Sequence, residues 1–139
     1  MTTAAAAEKD AAFDPEETAR PRILAVDDEK DFQFMLRRWL EPRFDLVVLP
    51  HGEELLDTID LIQPDLVMLD VGLPGPDGLT LARGLRERVS TRRTPILFLT
   101  GRRDDETFLG AVRVNASAFL TKPVEREELV ARIEELLVG

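Results

Sequence analysis

The chain has 139 residues, of which 44% are hydrophobic and 32% are charged, a composition typical of a folded globular domain. Its length predicts a single domain with a sizeable core. The absence of cysteine excludes disulfides and thiolate metal sites, and a single histidine, His51, excludes a histidine metal cluster. The net charge of −9 argues against direct binding of nucleic acid. Since no apolar run approaches about 18 residues and no signal peptide is recognisable, we expect a cytoplasmic protein without a membrane span.

The N-terminal segment differs in composition from the rest of the chain. Residues 1–20 contain almost no large apolar side chains, and five acidic residues outnumber Lys9 and Arg20. Such a segment cannot bury enough apolar surface to offset the entropy lost on ordering it. We therefore predict a disordered acidic tail at residues 1–20 and a folded domain at residues 21–139, which begins at Pro21.

Two hydrophobic patterns alternate from Arg22 onward. Short continuous apolar runs predict five strands that are buried on both faces, at residues 23–26, 46–49, 66–69, 96–99 and 118–120. Apolar residues spaced by three and four positions predict a helix after each strand, within residues 32–40, 55–62, 81–89, 104–114 and 129–137. Asn115 is suited to a left-handed helix cap. This order predicts an α/β fold of the (βα)5 type, a doubly wound five-stranded parallel sheet.

Four of the five predicted strands deliver chemically active side chains at their carboxyl ends. The first is followed by Asp27 and Asp28, the third by Asp70, the fourth by Thr100 and the fifth by Lys122. The carboxyl ends of parallel strands meet at one edge of the sheet, where open α/β sheets bind their ligands. We therefore predict that these five residues form one site.

The predicted site suits a hard cation and a phosphoryl group. Three carboxylates at one edge repel each other unless they are protonated or bridged by a cation, and oxygen ligands favour Mg²⁺, Mn²⁺ or Ca²⁺. Asp70 is followed by a loop rich in proline and glycine, and it could act as a carboxylate nucleophile toward phosphorus. The hydroxyl of Thr100 and the ammonium of Lys122 could then contact phosphoryl oxygens. Each residue alone has a plainer interpretation, as a cap, a turn residue or a surface lysine, but their coincidence favours the site.

The order of these site residues along the chain resembles that in the receiver domain of two-component response regulators, a family that includes the chemotaxis regulators. The resemblance runs from Arg22 to about Val138 and rests on four motifs, which are ILAVDDE at 23–29, LVMLD with LP and DG at 66–78, PILFLTG at 95–101 and FLTKP at 119–123. The intervals of 30 residues from Asp70 to Thr100 and 22 residues from Thr100 to Lys122 are those of the family. The resemblance implies a flavodoxin-like fold with strand order 2-1-3-4-5.

The resemblance also implies a phosphorylation switch of a two-component system or phosphorelay. Asp70 would accept a phosphoryl group from a histidine kinase, a histidine phosphotransfer protein or acetyl phosphate. The chain would catalyse only this transfer to itself and its own dephosphorylation, and would otherwise not be an enzyme. Mg²⁺, or Mn²⁺ in its place, would be bound by Asp28, Asp70 and the backbone carbonyl of Gly72, with Asp27 acting mainly through a bound water.

The resemblance implies further roles in switching. Lys122 would contact the phosphoryl oxygens, and the Lys122–Pro123 peptide bond would be cis. Thr100 would move toward the phosphoryl group and Phe119 would turn inward, which would bias residues 104–121 toward an active surface. The downstream partner would be a separate effector protein or a fused output domain absent from this chain.

The sequence departs from the family pattern at three places. Gly72 stands where a larger side chain is common, which leaves the phosphoryl lifetime open. Asn115 replaces a frequent glycine, and Pro50-His51 is unusual before the second helix.

Two other functions stay open. A Mg²⁺-dependent phosphohydrolase is disfavoured because such enzymes usually have a second acid at the position of Gly72. A receiver-like interaction module that works without phosphorylation is the other alternative. No glycine-rich dinucleotide or Walker A motif supports a nucleotide-binding domain.

Overall fold

The computed structural model describes residues 20–138, so the predicted acidic tail lies outside the described residues except for Arg20. Strands and helices alternate throughout this part of the chain, and we number them in chain order. The strands are β1 (Arg22–Val26), β2 (Asp45–Leu49), β3 (Leu66–Leu69), β4 (Ile96–Thr100) and β5 (Ala118–Thr121). The helices are α1 (Lys30–Leu40), α2 (Leu55–Ile62), α3 (Gly78–Glu87), α4 (Asp105–Arg113) and α5 (Arg126–Val138).

The five strands form one parallel sheet in the order β2-β1-β3-β4-β5. Strand β1 lies between β2 and β3, and its Leu24 is paired with Val47 on one side and Val67 on the other. The predicted (βα)5 fold and the implied strand order 2-1-3-4-5 are therefore confirmed. The order reverses beside β1, and this places a crevice at the carboxyl ends of β1 and β3.

Helices cover both faces of the sheet, and each face has its own apolar cluster. Helices α2, α3 and α4 pack on one face, with α1 and α5 on the other. Residues of β1 alternate between the clusters, Leu24 and Val26 on the first face and Ile23 and Ala25 on the second, which explains its continuous apolar run. Among residues 20–138, no helix has the length and apolar character needed to cross a membrane.

Strand β2 is less buried than its apolar run predicts. Its four apolar residues, at positions 46–49, are all half-buried. The prediction of burial on both faces is wrong for this strand because β2 lies at the edge of the sheet, where the helices cover it incompletely.

Helix α3 ends earlier than its sequence pattern predicts. The pattern placed Val89 on the apolar face of a helix at 81–89, but the helix ends at Glu87 and the Val89 side chain is 81% exposed. The backbone of Arg88 is extended, which turns the chain out of the helix. Thr91 is buried instead, and its hydroxyl donates a hydrogen bond to the carbonyl of Leu85 at 2.7 Å.

Helix α4 contacts the rest of the domain through its small residues. Its buried side chains are Thr107 and Ala111, and a Cβ atom at Gly110 would lie 2.8 Å from a methyl carbon of Leu79 on α3. This close approach leaves the larger apolar residues of the helix about half exposed; they are Phe108, Leu109 and Val112. Asn115 follows with φ of 57°, the left-handed conformation that the sequence predicted.

Candidate functional site

Backbone hydrogen bonds between neighbouring strands position the polar residues at the carboxyl edge of the sheet. The amide of Asp27 donates to the carbonyl of Leu49, the amide of Asp70 to Val26, and the amide of Lys122 to Thr100. In each case the donor is the first residue after one strand, and the acceptor is the last residue of the neighbouring strand. The side chains that leave this edge are therefore fixed by the sheet rather than by loops alone.

Three carboxylates converge at this edge. One oxygen from each of Asp27, Asp28 and Asp70 lies within 4.8 Å of the other two. Asp27 is buried, Asp70 is half-buried and Asp28 is exposed, so the cluster opens toward solvent. An all-oxygen donor set with an open side fits Mg²⁺, which binds one or two carboxylates and retains several waters.

Lys122 links two of these carboxylates. Its Nζ atom lies 2.8 Å from Oδ2 of Asp27 and 3.2 Å from Oδ2 of Asp70. Burial by itself would lower the pKa of Lys122, but the hydrogen bonds and charges of Asp27 and Asp70 outweigh it and raise the pKa above the usual value. Lys122 is therefore a fixed positive charge in the site at neutral pH.

Asp27 is held on several sides. Its Oδ1 accepts a hydrogen bond from the amide of Glu29 at 2.9 Å, and its backbone carbonyl accepts one from the side-chain amide of Gln33 at 2.6 Å. Burial raises the pKa of the Asp27 carboxyl, although the hydrogen bond from Lys122 opposes this shift. Burial therefore destabilises the charged form of Asp27, and the positive charge of Lys122 stabilises it.

The loop after β3 approaches Asp70 closely at two glycines. The amide of Gly72 donates to Oδ1 of Asp70 at 2.9 Å and orients the carboxylate. A Cβ atom at Gly78 would collide with the Asp70 carbonyl oxygen and lie 2.8 Å from its carbonyl carbon. Gly78 thus lets the first turn of α3 pack against the backbone of Asp70, a role that the sequence analysis missed.

The remaining predicted residues lie on β4, on β5 and just after it. Thr100 is the last residue of β4 and is buried, and its Oγ1 accepts a hydrogen bond from the amide of Arg102 at 3.3 Å. Phe119 is half-buried, with ring centroids 6.3 Å from Phe98 and 5.7 Å from Phe108. The Lys122–Pro123 peptide bond is cis.

The start of α1 adds two groups that the sequence analysis did not assign to the site, Glu29 just before the helix and Phe32 in its first turn. Oε1 of Glu29 lies 3.2 Å from Nζ of Lys122, and the ring centroid of Phe32 lies 4.3 Å from the same atom. The only sequence signal for Glu29 is its place directly after the two aspartates, and Phe32 is the first apolar residue of the pattern that predicts the helix. His51 is exposed in the connection between β2 and α2, in line with its interpretation as a loop residue.

This fold, with its acidic cluster and half-buried lysine, corresponds to a known protein family. Residues 23–134 match the model of the response regulator receiver domain. The chain belongs to this family, whose members are signalling modules of two-component systems and generally not enzymes.

Relatives in the family are response regulators with named roles of their own. The chain is 35% identical over 118 residues to the phosphate regulon transcriptional regulatory protein PhoB of Rhizobium meliloti, covering 84% of this chain and 52% of that protein. It is 38% identical over 117 residues to the transcriptional regulatory protein TrcR of Mycobacterium tuberculosis, covering 84% and 45%. The chain thus spans about half the length of the curated relatives it matches.

Solved receiver structures share the fold over nearly their whole length. The BeF3-activated N-terminal receiver domain of Klebsiella pneumoniae RstA aligns with a TM-score of 0.78 and 32% identity, covering 85% of this chain and 99% of that one. The chemotaxis protein CheY4 of Vibrio cholerae aligns with a TM-score of 0.80 and 26% identity, covering 85% and 99%.

Proposed function

We propose that this receiver domain is a switch that is activated by Mg²⁺-dependent phosphorylation of Asp70. The observation that carries the proposal is the convergence of three carboxylates and one half-buried ammonium at a single edge of the sheet. A carboxylate nucleophile, acidic groups for a cation and a fixed positive charge for a phosphoryl group are the parts that such a transfer needs.

In the proposed reaction an oxygen of Asp70 attacks the phosphorus of the donor. A new O–P bond forms while the N–P bond of a phosphohistidine, or the O–P bond to acetate in acetyl phosphate, breaks. The electron pair of the broken bond leaves with the imidazole or the acetate. The Gly72 amide, which donates to Oδ1 of Asp70, keeps the carboxylate oriented for this attack.

The acidic cluster fits the metal that the transfer requires. Asp28, Asp70 and the backbone carbonyl of Gly72 would hold Mg²⁺ (or Mn²⁺) directly, and Asp27 would act mainly through a water. The ion supplies positive charge that offsets the charge developing on the phosphoryl oxygens. Lys122 supplies a second positive charge from the protein itself, held between Asp27 and Asp70 in the resting site.

Phosphorylation of Asp70 would change the surface built from α4, β5 and α5. The Thr100 hydroxyl, at the end of β4, would turn toward the phosphoryl oxygens. Phe119 is half-buried beside Phe98 and Phe108, so an inward turn of its ring would alter its packing against α4. The change would be a shift between two populated states that bind a partner differently.

The proposed partners follow from this role. A histidine kinase or histidine phosphotransfer protein in the cytoplasm would supply the phosphoryl group. An effector protein, or an output domain fused to the receiver, would respond to it. The named relatives are transcriptional regulators about twice as long as their aligned part, which supports a fused output as one form of this arrangement.

Intact-mass measurement after brief incubation with acetyl phosphate and Mg²⁺ tests the proposal. One added phosphoryl group on the wild-type chain, absent from Asp70→Asn and abolished by EDTA, is the expected result. If no adduct forms, beryllofluoride titration by NMR separates rapid phosphoryl loss from a silent site. No adduct and no beryllofluoride-induced shifts would contradict the proposal and favour an interaction module that works without phosphorylation.

A further inference from the structure

The ammonium of Lys122 has a third carboxylate partner, which belongs neither to the acceptor nor to the metal cluster. Oε1 of Glu29 lies 3.2 Å from Nζ of Lys122, in addition to the contacts with Asp27 and Asp70. The cluster of carboxylates that could hold a metal consists of Asp27, Asp28 and Asp70, and does not include Glu29. Neither phosphoryl acceptance nor metal binding therefore accounts for the contact between Glu29 and Lys122.

Two side chains at the start of α1 enclose this ammonium from two directions. Glu29 precedes the helix and Phe32 follows three residues later, so both side chains reach the same side of the helix. The ring centroid of Phe32 lies 4.3 Å from Nζ of Lys122, a distance at which an aromatic face attracts a cation. Together they form a clamp that holds the end of the Lys122 side chain.

An ammonium has three N–H donors, and the three carboxylates already provide three acceptors. Before transfer, while Asp70 still holds its own contact, an incoming phosphoryl group can engage Lys122 only when the contact with Asp27 or Glu29 is given up. The Asp27 contact is the most buried, since the side chains of Asp27 and Lys122 are 4% and 14% exposed. The Glu29 side chain is 64% exposed, so its contact is the least costly to break because water can replace it.

We propose that Glu29 is a positioning residue that competes with the incoming phosphoryl group for Lys122 and so slows the phosphorylation of Asp70. This inference rests on the proposed function of the site. Glu29 acts through Lys122 and also places a negative charge beside the path of an anionic donor. Its removal frees one N–H of Lys122 for the phosphoryl oxygens and lowers the repulsion of the donor.

Replacing Glu29 should leave the fold intact. Although Glu29 stands at the N-cap position of α1, its side chain makes no capping hydrogen bond. Its amide orients Asp27 through the backbone, which any side chain preserves. Glu29→Gln keeps the shape and removes the charge, and Glu29→Ala removes the contact as well.

Asp31 offers a matched control on the same turn. It is exposed and acidic, but Lys122 makes no ion pair with it among the described residues. Asp31→Asn removes the same charge at nearly the same place. A difference between the two variants therefore reports the contact with Lys122 and not the net charge of the surface.

The test is the time course of intact mass with acetyl phosphate at saturating Mg²⁺, as a function of donor concentration. We expect Glu29→Gln to be phosphorylated roughly three- to tenfold faster than wild type, and Asp31→Asn within about 1.5-fold of wild type, since screening weakens exposed charges that make no contact. Beryllofluoride should bind more tightly to Glu29→Gln by a similar factor. Equal thermal midpoints would show that the gain is not a change in stability.

Several outcomes would overturn this role for Glu29. Equal or slower phosphorylation of both Glu29 variants would do so, and so would an equal gain in Asp31→Asn. A gain that persists when Lys122 is replaced by methionine would show that Glu29 does not act through Lys122. Failure of the proposed function looks different, because the wild-type chain would then form no adduct and bind no beryllofluoride.

Discussion

Lys122 and Asp27 form a partly buried ion pair although 95 residues separate them in sequence, with Nζ 2.8 Å from Oδ2. The pair connects the loop after β5 to the end of β1 across the crevice of the sheet. Asp27 alone would be an unfavourable group at this position, because burial raises the pKa of its carboxyl. The stability of the metal-free domain should therefore depend on Lys122.

Lys122→Met should lower the free energy of unfolding of the metal-free protein by about 2–3 kcal/mol near neutral pH, since it leaves a buried carboxylate without its partner. The loss should shrink with falling pH. A carboxyl whose folded-state pKa lies above its unfolded value takes up its proton preferentially in the folded state, so its penalty disappears as the pH falls through the folded pKa. Urea unfolding in EDTA at about pH 7 and about pH 5 measures both effects.

Lys30→Met is the matched control for this experiment. Lys30 begins α1, is exposed and makes no ion pair among residues 20–138, so its replacement should change stability by no more than about 0.5 kcal/mol. A loss in Lys122→Met that is the same at both pH values would contradict the role assigned to Asp27.

Mg²⁺ should stabilise the folded domain through the acidic cluster. A ligand that binds only the folded state at tenfold its dissociation constant contributes about 1.4 kcal/mol. Asp28→Asn should abolish most of this gain and barely affect the metal-free protein, because Asp28 is the exposed member of the cluster. Thermal unfolding with Mg²⁺ and with EDTA tests this, with Asp31→Asn as the control. The same Mg²⁺-dependent shift in Asp28→Asn as in wild type would rule out Asp28 as a ligand.

The two glycines near Asp70 should differ in their sensitivity to an added methyl group. Gly78→Ala places Cβ against the backbone carbonyl of Asp70 and should cost about 1–3 kcal/mol of stability and displace the acceptor. Gly72→Ala meets only Oδ1 of Asp70, at 3.7 Å, an ordinary contact, and should stay within about 0.5 kcal/mol of wild type. Chemical denaturation and acetyl phosphate labelling of both variants provide the measurements. Equal behaviour of the two variants would show that the close approach at Gly78 is unimportant.

The sequence predicted those features that follow from hydrophobic periodicity. Continuous apolar runs identified all five strands, and parallel strands necessarily bring residues such as Asp27, Asp70 and Lys122 to one edge. The strand order, which the family resemblance implied and the periodicity did not, was also confirmed. The predictions of the strands and of their common edge succeeded because each depends on a whole segment rather than on the placement of one side chain.

The features that the sequence did not predict depend on individual contacts between distant segments. Glu29 and Phe32 matter through their approach to Lys122, some ninety residues away, and no local pattern encodes that contact. Gly78 matters because two backbones come close. Val89 fits the helical spacing of α3, but the chain leaves the helix at Arg88 and Thr91 takes the buried position.

Arg86 should be a major source of stability although no carboxylate pairs with it among the described residues. Its guanidinium donates hydrogen bonds to five backbone carbonyls, those of Thr91, Arg92, Thr94, Val114 and Asn115. It therefore joins α3 to the connections that precede β4 and β5. Arg86→Ala should cost about 3 kcal/mol, because it removes charged donors from partly buried carbonyls, and Arg86→Lys should recover only part of this. Arg83→Ala, an exposed position on the same helix, should cost less than about 0.5 kcal/mol in urea unfolding, and equal losses at the two positions would refute the role of Arg86.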